Sequence, residues 1–418
     1  MKPNAPLRRL RVAANQIIQK EIMNIAFCYE SVLPTRGGCE TYISDLARRL
    51  LADRHEVQLY ACRWDEKVLA PGIHCHALPA FGGPRFLRPW RFSKLCNDAL
   101  AQSSHDVSIG FDKTWGQDIL YPQGGLHAAS VEHNFRKHPG RLGRFLSRLS
   151  KRIDVAHWSF TRLEKLQYLG NPRPQIIVNS FMVRRHFERY YGIGPEQVHV
   201  VRSAIDPNRF VEGDRPRRRQ EWRQRWGLAP RETVGLMAAM NYRLKGLDPL
   251  LHAVARMFAR SEFRNAPPAF RLLVAGNSRT RRYRRMARSL GIESRVRFVG
   301  HCPDMRNAYF AADFLVHPTF YDPCSLVVLE ALACGLPIIT TRFNGASELL
   351  HPLGEGFVID NPHDHDHLAW CLAQMLDPGR RVTFAQKARQ TGNAWTFEHH
   401  YRQLLQVFQQ TAALKQAA

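Results

Sequence analysis

Apolar and polar positions in the first part of the chain follow two different periods. A continuous apolar run at 24–29 is typical of a buried strand, and the apolar residues of 40–52 recur at helical spacing. Another apolar run, 56–61, follows directly. A strand, a helix and a strand in this order predict a parallel βαβ unit. Further strands are predicted at 107–111 and 175–179.

The second half repeats this alternation. The pattern predicts strands at 233–238, 270–275, 296–299, 314–316 and 338–340, and helices at 247–258, 282–290 and 304–311. Alternating strands and helices indicate an α/β fold with a second doubly wound sheet. A stretch rich in Arg and Pro, 206–231, is predicted to connect the halves, and a helix at about 397–413 ends the pattern.

Length and composition fit this division. A chain of 418 residues exceeds one typical core, and 44% apolar with 23% charged residues is ordinary for a folded protein. We predict a basic tail at 1–22, domains at 23–195 and 196–394, and a terminal segment at 395–418. The tail lacks the apolar stretch of a secretory signal, and no apolar run is long enough to cross a membrane.

Charge and cysteine usage narrow the setting. The formal net charge of +24 predicts attraction to an anionic partner, which is nucleic acid, an acidic membrane or a phosphorylated substrate. The nine cysteines are scattered without a C-x-x-C pair, which is typical of a reducing cytosol without disulfides or structural zinc.

The segment 317–337 has the features of a phosphate-binding loop. It follows a short apolar strand and opens a helix, where α/β folds hold phosphorylated ligands. Its carboxylates Asp322 and Glu330, with seven residues between them, can accept hydrogen bonds from hydroxyls. The helix start offers backbone N–H groups to a phosphate, at Cys324, Ser325, Leu326 and Val327. A nucleotide-sugar presents both kinds of group, although Asp322 before Pro323 also fits a plain turn.

Two cations precede this segment in the chain. Arg243 and Lys245 lie between a predicted strand and a predicted helix, at the edge where such folds bind ligands. Fixed positive charges there can stabilise the negative charge that grows on a leaving diphosphate. We therefore expect no metal ion and no other cofactor. The alternative is a solvated basic loop.

The segment 317–337 resembles the sugar-donor signature of the retaining family 4 glycosyltransferases. That signature is Glu, seven residues, Glu, then Ala-x-Ala-x-Gly-x-Pro, and this chain has Asp322 in the first position. The resemblance implies a GT-B fold, in which two Rossmann-like domains face each other across a cleft and the last helix returns to the first domain. It assigns donor-sugar hydroxyls to Asp322, ribose hydroxyls to Glu330 and the acceptor to the first domain. It also places the Gly37-Gly38 loop near the diphosphate.

A second segment resembles one in the lipopolysaccharide core glucosyltransferases. It is Gly110-Phe111-Asp112-Lys113-Thr114-Trp115-Gly116-Gln117-Asp118, similar to Gly-Phe-x-Lys-x-x-Gly-x-Asp. This resemblance assigns Asp118 to the reaction centre, with Asp112 and His127 as further candidates near the acceptor. A histidine at such a position is also often a structural group.

The segment 134–152 mixes apolar and cationic residues. Its apolar positions share one helical stripe and its cations adjoin that stripe, at Leu142, Phe145, Leu146, Leu149 and at Arg141, Arg144, Arg148, Lys151. Such a stripe is typical of a helix on an anionic membrane surface. The alternative is a core helix with a solvated basic face. The corresponding stretch of the lipopolysaccharide enzymes docks on the membrane.

These observations predict a retaining, metal-independent hexosyltransferase on the cytoplasmic face of the membrane. The expected donor is UDP-glucose or another UDP-hexose, and the expected acceptor is a lipopolysaccharide-core or other lipid-linked saccharide. One alternative is a nucleic-acid-binding protein that uses the arginines of 215–225 and 279–288, although no nucleic-acid-binding motif accompanies them. Another is a nucleotide-sugar epimerase on the same fold.

Overall fold

The computed structural model describes residues 22–33, 38–67, 69–210, 213–263 and 267–417. Gly37 and residues 1–21 of the predicted basic tail lie outside these described residues. Within them the chain forms two large sheets, one in each half, and the strand pairings in both are parallel. The predicted α/β fold with two doubly wound domains is confirmed.

The first domain is built on a seven-stranded sheet. Its strands are β1 (Asn24–Cys28), β2 (Ser31–Val32), β3 (Glu56–Ala61), β4 (Arg63–Trp64), β5 (His74–Ala77), β6 (Val107–Phe111), β7 (Ile119–Tyr121), β8 (Gln175–Val178) and β9 (Val198–Val200). Its helices are α1 (Gly38–Ala52), α2 (Arg88–Leu100), α3 (His127–Phe135), α4 (Arg141–Arg152), α5 (Val155–Leu169) and α6 (Phe181–Tyr191). The strand order is β5-β3-β1-β6-β7-β8-β9, with β2 and β4 paired separately.

The second domain is built on a six-stranded sheet. Its strands are β10 (Thr233–Ala239), β11 (Phe270–Gly276), β12 (Val296–Gly300), β13 (Phe314–His317), β14 (Ile338–Thr341) and β15 (Gly356–Ile359). Its helices are α7 (Arg215–Arg225), α8 (Leu247–Ala259), α9 (Arg281–Ser289), α10 (Arg306–Ala311), α11 (Leu326–Ala333), α12 (His365–Gln374) and α13 (Pro378–Ala394), and α14 (Phe397–Gln416) follows. The strand order is β12-β11-β10-β13-β14-β15.

Helices cover both faces of each sheet, which explains the continuous apolar runs of the strands. In α1 the side chains of Ile43, Leu46 and Leu50 recur at helical spacing and are fully buried in the core of the first domain. Parallel strands place all their carboxyl ends at one edge of a sheet. The loops that leave these edges therefore meet between the domains, and they carry most of the predicted site.

The stretch 206–231, predicted as a connection, is also a folded part of the second domain. It contains a short 3-10 helix at Pro207–Phe210 and the helix α7. Arg223 of α7 is only 4% exposed and donates hydrogen bonds to Asp313 Oδ2 at 2.7 Å and to Ala311 O at 2.9 Å. Arg219 donates to the other oxygen of Asp313 at 2.6 Å. These arginines thus hold α7 on its domain, because a buried guanidinium needs several acceptors.

The helix α14 returns from the second domain and completes the core of the first. Six of its side chains are buried among residues of β1, β3 and α1, namely Tyr401, Leu404, Leu405, Val407, Phe408 and Ala412. Tyr401 also donates a hydrogen bond to Asp53 at 2.8 Å. The first domain is therefore assembled from both ends of the chain.

Tyr321 fixes the two domains to each other. It follows β13 in the second domain, yet its side chain is 3% exposed and packs in a cluster with Leu126 and Val183 of the first domain. Beside it, His133 Nδ1 lies 3.0 Å from the carbonyl oxygen of Phe320. The loop that carries Asp322 is consequently seated in the first domain, which determines where the predicted donor site opens.

Candidate active site

The helix α11 begins directly under the loop that carries Asp322. The side chain of Ser325 does not cap this helix, and its N–H donates to Asn344 Oδ1 at 3.2 Å. Leu326 and Val327 open the helix, where backbone N–H groups have no acceptor within the helix itself. Cys324 is buried in the core of the second domain. The anion-binding end of α11 therefore rests on Leu326 and Val327 rather than on Cys324 and Ser325.

Lys245 and Asp322 form an ion pair at the carboxyl edge of the second sheet. Lys245 Nζ donates to Asp322 Oδ2 at 2.6 Å and to the carbonyl oxygen of Tyr321 at 3.2 Å. His317 Nε2 lies 3.6 Å from the same carboxylate oxygen. Burial alone would raise the pKa of Asp322, but Lys245 and His317 hold that pKa well below its usual range. Asp322 is therefore ionised and compensates Lys245 until a ligand anion arrives.

Gly246 brings Lys245 to this position. Its φ of +83° is left-handed, and a Cβ there would meet the carbonyl oxygen of Pro318 at 2.0 Å. Only glycine allows the loop before α8 to pack so closely on the loop after β13. Because β10 and β13 are neighbours in the sheet, both loops leave the same edge.

Arg243 reaches from the second domain towards the first. It is exposed, and its guanidinium lies 3.4 Å from Nδ1 of His138, which precedes α4. A cation that spans the cleft can meet a ligand bound between the domains. Arg243 and Lys245 are thus on one loop, but they face different surroundings.

Glu330 lies one turn along α11 from the opening residues. The hydroxyl of Tyr309 donates to Glu330 Oε2 at 2.5 Å. Burial raises the pKa of Glu330, while Tyr309 and Arg209 act in the opposite direction. Among the described residues no hydrogen bond reaches Oε1. This half-buried carboxylate therefore has an oxygen left to accept a ligand hydroxyl.

Gly38 closes the cleft from the first domain. A Cβ at Gly38, the first residue of α1, would lie 2.7 Å from Leu326 Cδ1 at the start of α11. Two helix starts from different domains thus meet at one point. A diphosphate held there would contact both, because helix N-termini attract anions.

A cavity of about 440 Å³ opens in the first domain beside this meeting point. Asp112, Lys113, His127, Phe160 and Glu164 are among its lining residues. Asp112 follows β6 with a left-handed φ of +54° and accepts the N–H of Gly124 at 2.9 Å. Gly125, also in the wall, lies so close to Tyr321 that a Cβ would meet the Tyr321 hydroxyl at 2.2 Å. The cavity therefore adjoins the loop of Asp322.

His127 begins α3 at the wall of this cavity. Its Nε2 lies 3.0 Å from His157 Nδ1. Burial, Lys113 and His157 together lower the pKa of His127 to about 4, so the ring is neutral at pH 7. A neutral imidazole here can exchange hydrogen bonds with a sugar hydroxyl, and it carries no charge to an anion.

Two family comparisons cover most of the chain. Residues 36–209 match the family described as Glycosyltransferase Family 4, and residues 218–391 match Glycosyl transferases group 1. A D-inositol 3-phosphate glycosyltransferase of Salinispora arenicola is 30% identical over 420 residues, which cover 90% of this chain and 88% of that protein. The chain belongs to the group 1 and family 4 glycosyltransferases.

Other relatives of this glycosyltransferase share its full length. The lipopolysaccharide glucosyltransferase WaaG of Escherichia coli K12 is 24% identical over 372 residues, which cover 88% of this chain and 93% of WaaG. A crystal structure of WaaG matches with a TM-score of 0.76, 22% identity and coverage of 92% and 99%. Anabaena HepE in complex with UDP and glucose matches with a TM-score of 0.65, 19% identity and coverage of 93% and 100%. The predicted GT-B fold is confirmed.

Asp118 is the one predicted catalytic residue of the glycosyltransferase that the structure keeps away from the cleft. It precedes β7 and lies at the amino edge of the sheet, opposite the loops that carry the site. Its Oδ2 accepts hydrogen bonds from the N–H and hydroxyl of Ser108, both at 2.8 Å, and from Lys415 at 3.0 Å. Its position supports a structural role that links β6, β7 and α14, so we correct the expectation that it faces the reaction centre.

The structure adds residues that the motifs did not indicate. Tyr309 orients Glu330, and His317 lies beside Asp322. In the cavity, Glu30 forms an ion pair with Arg88. Glu30 stands two residues after β1, so the rule that ligands bind beyond the carboxyl ends of strands could have found it. No comparable signal points to Tyr309, because its contact with Glu330 depends on how α10 packs against α11.

The helix α4 carries the amphipathic stripe of the glycosyltransferase on its surface. None of its residues is buried, and Leu142 and Phe145 are 70% and 61% exposed. The core-helix alternative is therefore wrong. The exposed apolar surface continues past the helix to Ile153, Val155 and Trp158. Across the described ranges, we find no helix with the length and apolar character needed to cross a bilayer.

Proposed function

We propose that this glycosyltransferase transfers a hexose, with glucose as the first candidate, from a UDP-sugar to a saccharide of lipopolysaccharide or another lipid-linked glycan. The observation that carries the proposal is the grouping of Lys245, Asp322 and the start of α11 at the point where Gly38 of the first domain meets Leu326. A diphosphate fits between these groups because they supply a cation and helix N-termini. Glu330 is then available to the ribose hydroxyls.

In the proposed reaction the donor sugar keeps its anomeric configuration. The bond between the anomeric carbon and the diphosphate oxygen breaks, and the acceptor oxygen bonds to that carbon on the same face. The acceptor proton passes to the departing diphosphate. Lys245 and Arg243 stabilise the charge on the leaving group, and Asp322 holds a donor-sugar hydroxyl. Each of these roles uses side chains of this protein, so the proposal requires no metal ion or other cofactor.

The relatives support this choice of donor and acceptor. WaaG is described as a lipopolysaccharide glucosyltransferase, and the HepE structure contains UDP and glucose. The similarity to D-inositol 3-phosphate glycosyltransferases favours a second acceptor class, a small phosphorylated polyol. The full-length match to WaaG and the exposed stripe of α4 favour the lipid-linked acceptor.

The nucleic-acid alternative loses much of its basis. Of the arginines in 215–225, Arg218, Arg219 and Arg223 are paired with Asp304 or Asp313 within the second domain. A cation bound in this way contributes little to a surface that attracts nucleic acid. The epimerase alternative is left to experiment, because it uses the same donor grip.

A panel of nucleotide-sugars tests the proposed donor. We expect UDP-glucose to raise the melting temperature more than ADP-glucose or GDP-glucose, since saturating ligand at 100 times its Kd stabilises by about 2.7 kcal/mol. Transfer to truncated lipopolysaccharide or to inositol phosphate would then identify the acceptor class. Conversion of free UDP-glucose to another UDP-hexose without transfer would support the epimerase. Stabilisation by duplex DNA alone would refute the sugar-donor site.

We also propose that α4 docks the enzyme on the cytoplasmic face of an anionic membrane. The exposed apolar stripe, which includes Leu142 and Phe145, can enter the headgroup region. The neighbouring cations then meet anionic lipids, each contributing about 1 kcal/mol.

Charge reversal on α4 tests this docking. The double variant Arg141→Glu/Arg148→Glu should bind vesicles with 30% phosphatidylglycerol, a proportion of about one lipid in three, at least about tenfold more weakly in a flotation assay. The matched control Arg281→Glu/Arg285→Glu makes the same charge change on α9, which has no exposed apolar stripe, and should lose much less. Equal losses for both variants would mean that only overall charge matters.

A further inference from the structure

The carboxylates that line the cavity of the first domain are already engaged by protein groups. Glu164 accepts the N–H of Ala128 at 3.0 Å and the hydroxyl of Tyr191 at 2.6 Å. Asp112 accepts the N–H of Gly124, and Glu30 is paired with Arg88. Glu40, at the start of α1, is buried. These groups shape the cavity walls, and most of their hydrogen-bonding capacity is directed into the protein.

The cations of the same cavity are less satisfied. Lys113 Nζ sits 3.3 Å from the ring centroid of Phe160 and has no carboxylate within 4.0 Å among the described residues. Arg85 is exposed at the rim and makes no hydrogen bond or ion pair with any described residue. Nε of Arg88 is buried without a hydrogen-bond acceptor. Three cationic groups with spare donors thus line one cavity.

We propose that this cavity binds an anionic substituent, a carboxylate or a phosphate, on the acceptor saccharide, through Lys113 and Arg85 with Arg88 behind them. This rests on the proposed sugar transfer, since it specifies the acceptor of that reaction. Cationic groups with unused donors recognise such oxyanions by charge-assisted hydrogen bonds. Phe160 offers an aromatic face beside them for the sugar ring.

The position of the cavity relates the anion to the reaction. Gly124 and Gly125 form the wall nearest the second domain, where Gly125 touches Tyr321, the neighbour of Asp322. Lys113 follows β6 together with Asp112 on another part of the lining. An acceptor anchored at Lys113 can therefore extend past Gly125 towards the donor sugar. Lys113 and Arg85 are specificity-determining residues that act at a distance from the transferred group.

The surroundings of Lys113 make its charge responsive to a ligand. Burial lowers the pKa of Lys113 to about 8, Asp112 and Glu164 oppose this shift, and Arg85 adds to it. His127, the other titratable group facing the amine, is neutral at pH 7. A bound anion would favour the protonated amine. Affinity for an anionic ligand should thus be retained below about pH 8 and fall above it, as the amine loses its proton.

Paired probes test the proposal on the full chain. Glucose 6-phosphate and glucuronate should each bind at least about tenfold more tightly than glucose in calorimetry at pH 7, the gain expected of one charge-assisted hydrogen bond. The stronger of the two identifies phosphate or carboxylate as the preferred anion. Lys113→Met and Arg85→Gln should each remove most of this preference while the affinity for UDP is retained. With a true acceptor, Lys113→Met should raise KM rather than lower kcat.

The outcomes separate this proposal from the proposed function. Equal binding of glucose and its anionic counterparts, or an unchanged preference in Lys113→Met, would overturn the anion site even if UDP-sugars bind and react. Failure of UDP to bind wild-type protein would instead refute the sugar-donor site. Arg281→Gln removes a surface charge on α9 and should leave both affinities unchanged. Arg85 lies at the exposed rim, so its variant retains the test if Lys113→Met folds poorly.

Discussion

Replacing Lys245 with alanine should lower the turnover number by about 10²- to 10³-fold, the usual effect of removing one fixed group that stabilises developing negative charge. Lys245 is the cation closest to Asp322 and to the loop before α11. Steady-state transfer or donor hydrolysis measures the loss. The same change leaves the buried Asp322 carboxylate without its partner, which typically costs about 3–5 kcal/mol of stability.

The variant Asp322→Asn separates these two effects. It removes the carboxylate that Lys245 now binds, so UDP should bind more tightly than to the wild type, although donor-sugar transfer should slow. The double variant Lys245→Ala/Asp322→Asn should recover stability but not turnover. Asp118→Asn is the matched control at a carboxylate on the opposite edge of the sheet, and it should keep the wild-type turnover number. A Lys245→Ala enzyme with unchanged turnover would remove Lys245 from the site.

Replacing Glu330 with alanine should weaken UDP binding by about 100-fold or more. A carboxylate that accepts two ribose hydroxyls makes charge-assisted hydrogen bonds worth about 1.5–3 kcal/mol each. Calorimetric titration with UDP measures the change in affinity. Glu330 is held by Tyr309 at one oxygen only, so the other is already placed to accept a hydroxyl.

Two comparisons show whether the ribose is the group involved. Wild-type enzyme should prefer UDP to 2′-deoxy-UDP, and Glu330→Ala should lose this preference. Tyr309→Phe removes only the hydrogen bond that orients the carboxylate, so it should weaken UDP binding by about tenfold at most. If Glu330→Ala still discriminates between the two nucleotides, the carboxylate does not bind the ribose.

The pattern of the chain predicts the elements around the donor loop well. The strands at 24–29, 233–238 and 314–316 are buried on both faces, and continuous apolar runs of that length have few alternatives. Asp322 and Lys245 are predictable together because each follows a strand in the same parallel sheet. Their ion pair is a finding of the structure, since the pattern specifies the shared edge and not the contact.

Asp118 shows where such reasoning fails. The strand after it, β7, has only three residues, too few to show a period, so the sequence does not reveal which end of a strand Asp118 occupies. Tyr321 is harder still, because its partners Leu126 and Val183 belong to the other domain. Contacts between domains depend on how two finished surfaces meet, and local patterns carry little information about that.

The return of α14 to the first domain has a consequence for biosynthesis. Domains usually fold in order as a chain leaves the ribosome, the amino-terminal one first. Here the side chains that seal the first core, from Tyr401 to Ala412, are among the last to be made. Until translation ends, the apolar surface around Leu46 and Leu50 lacks its cover, and a chain stopped before residue 397 would expose it permanently.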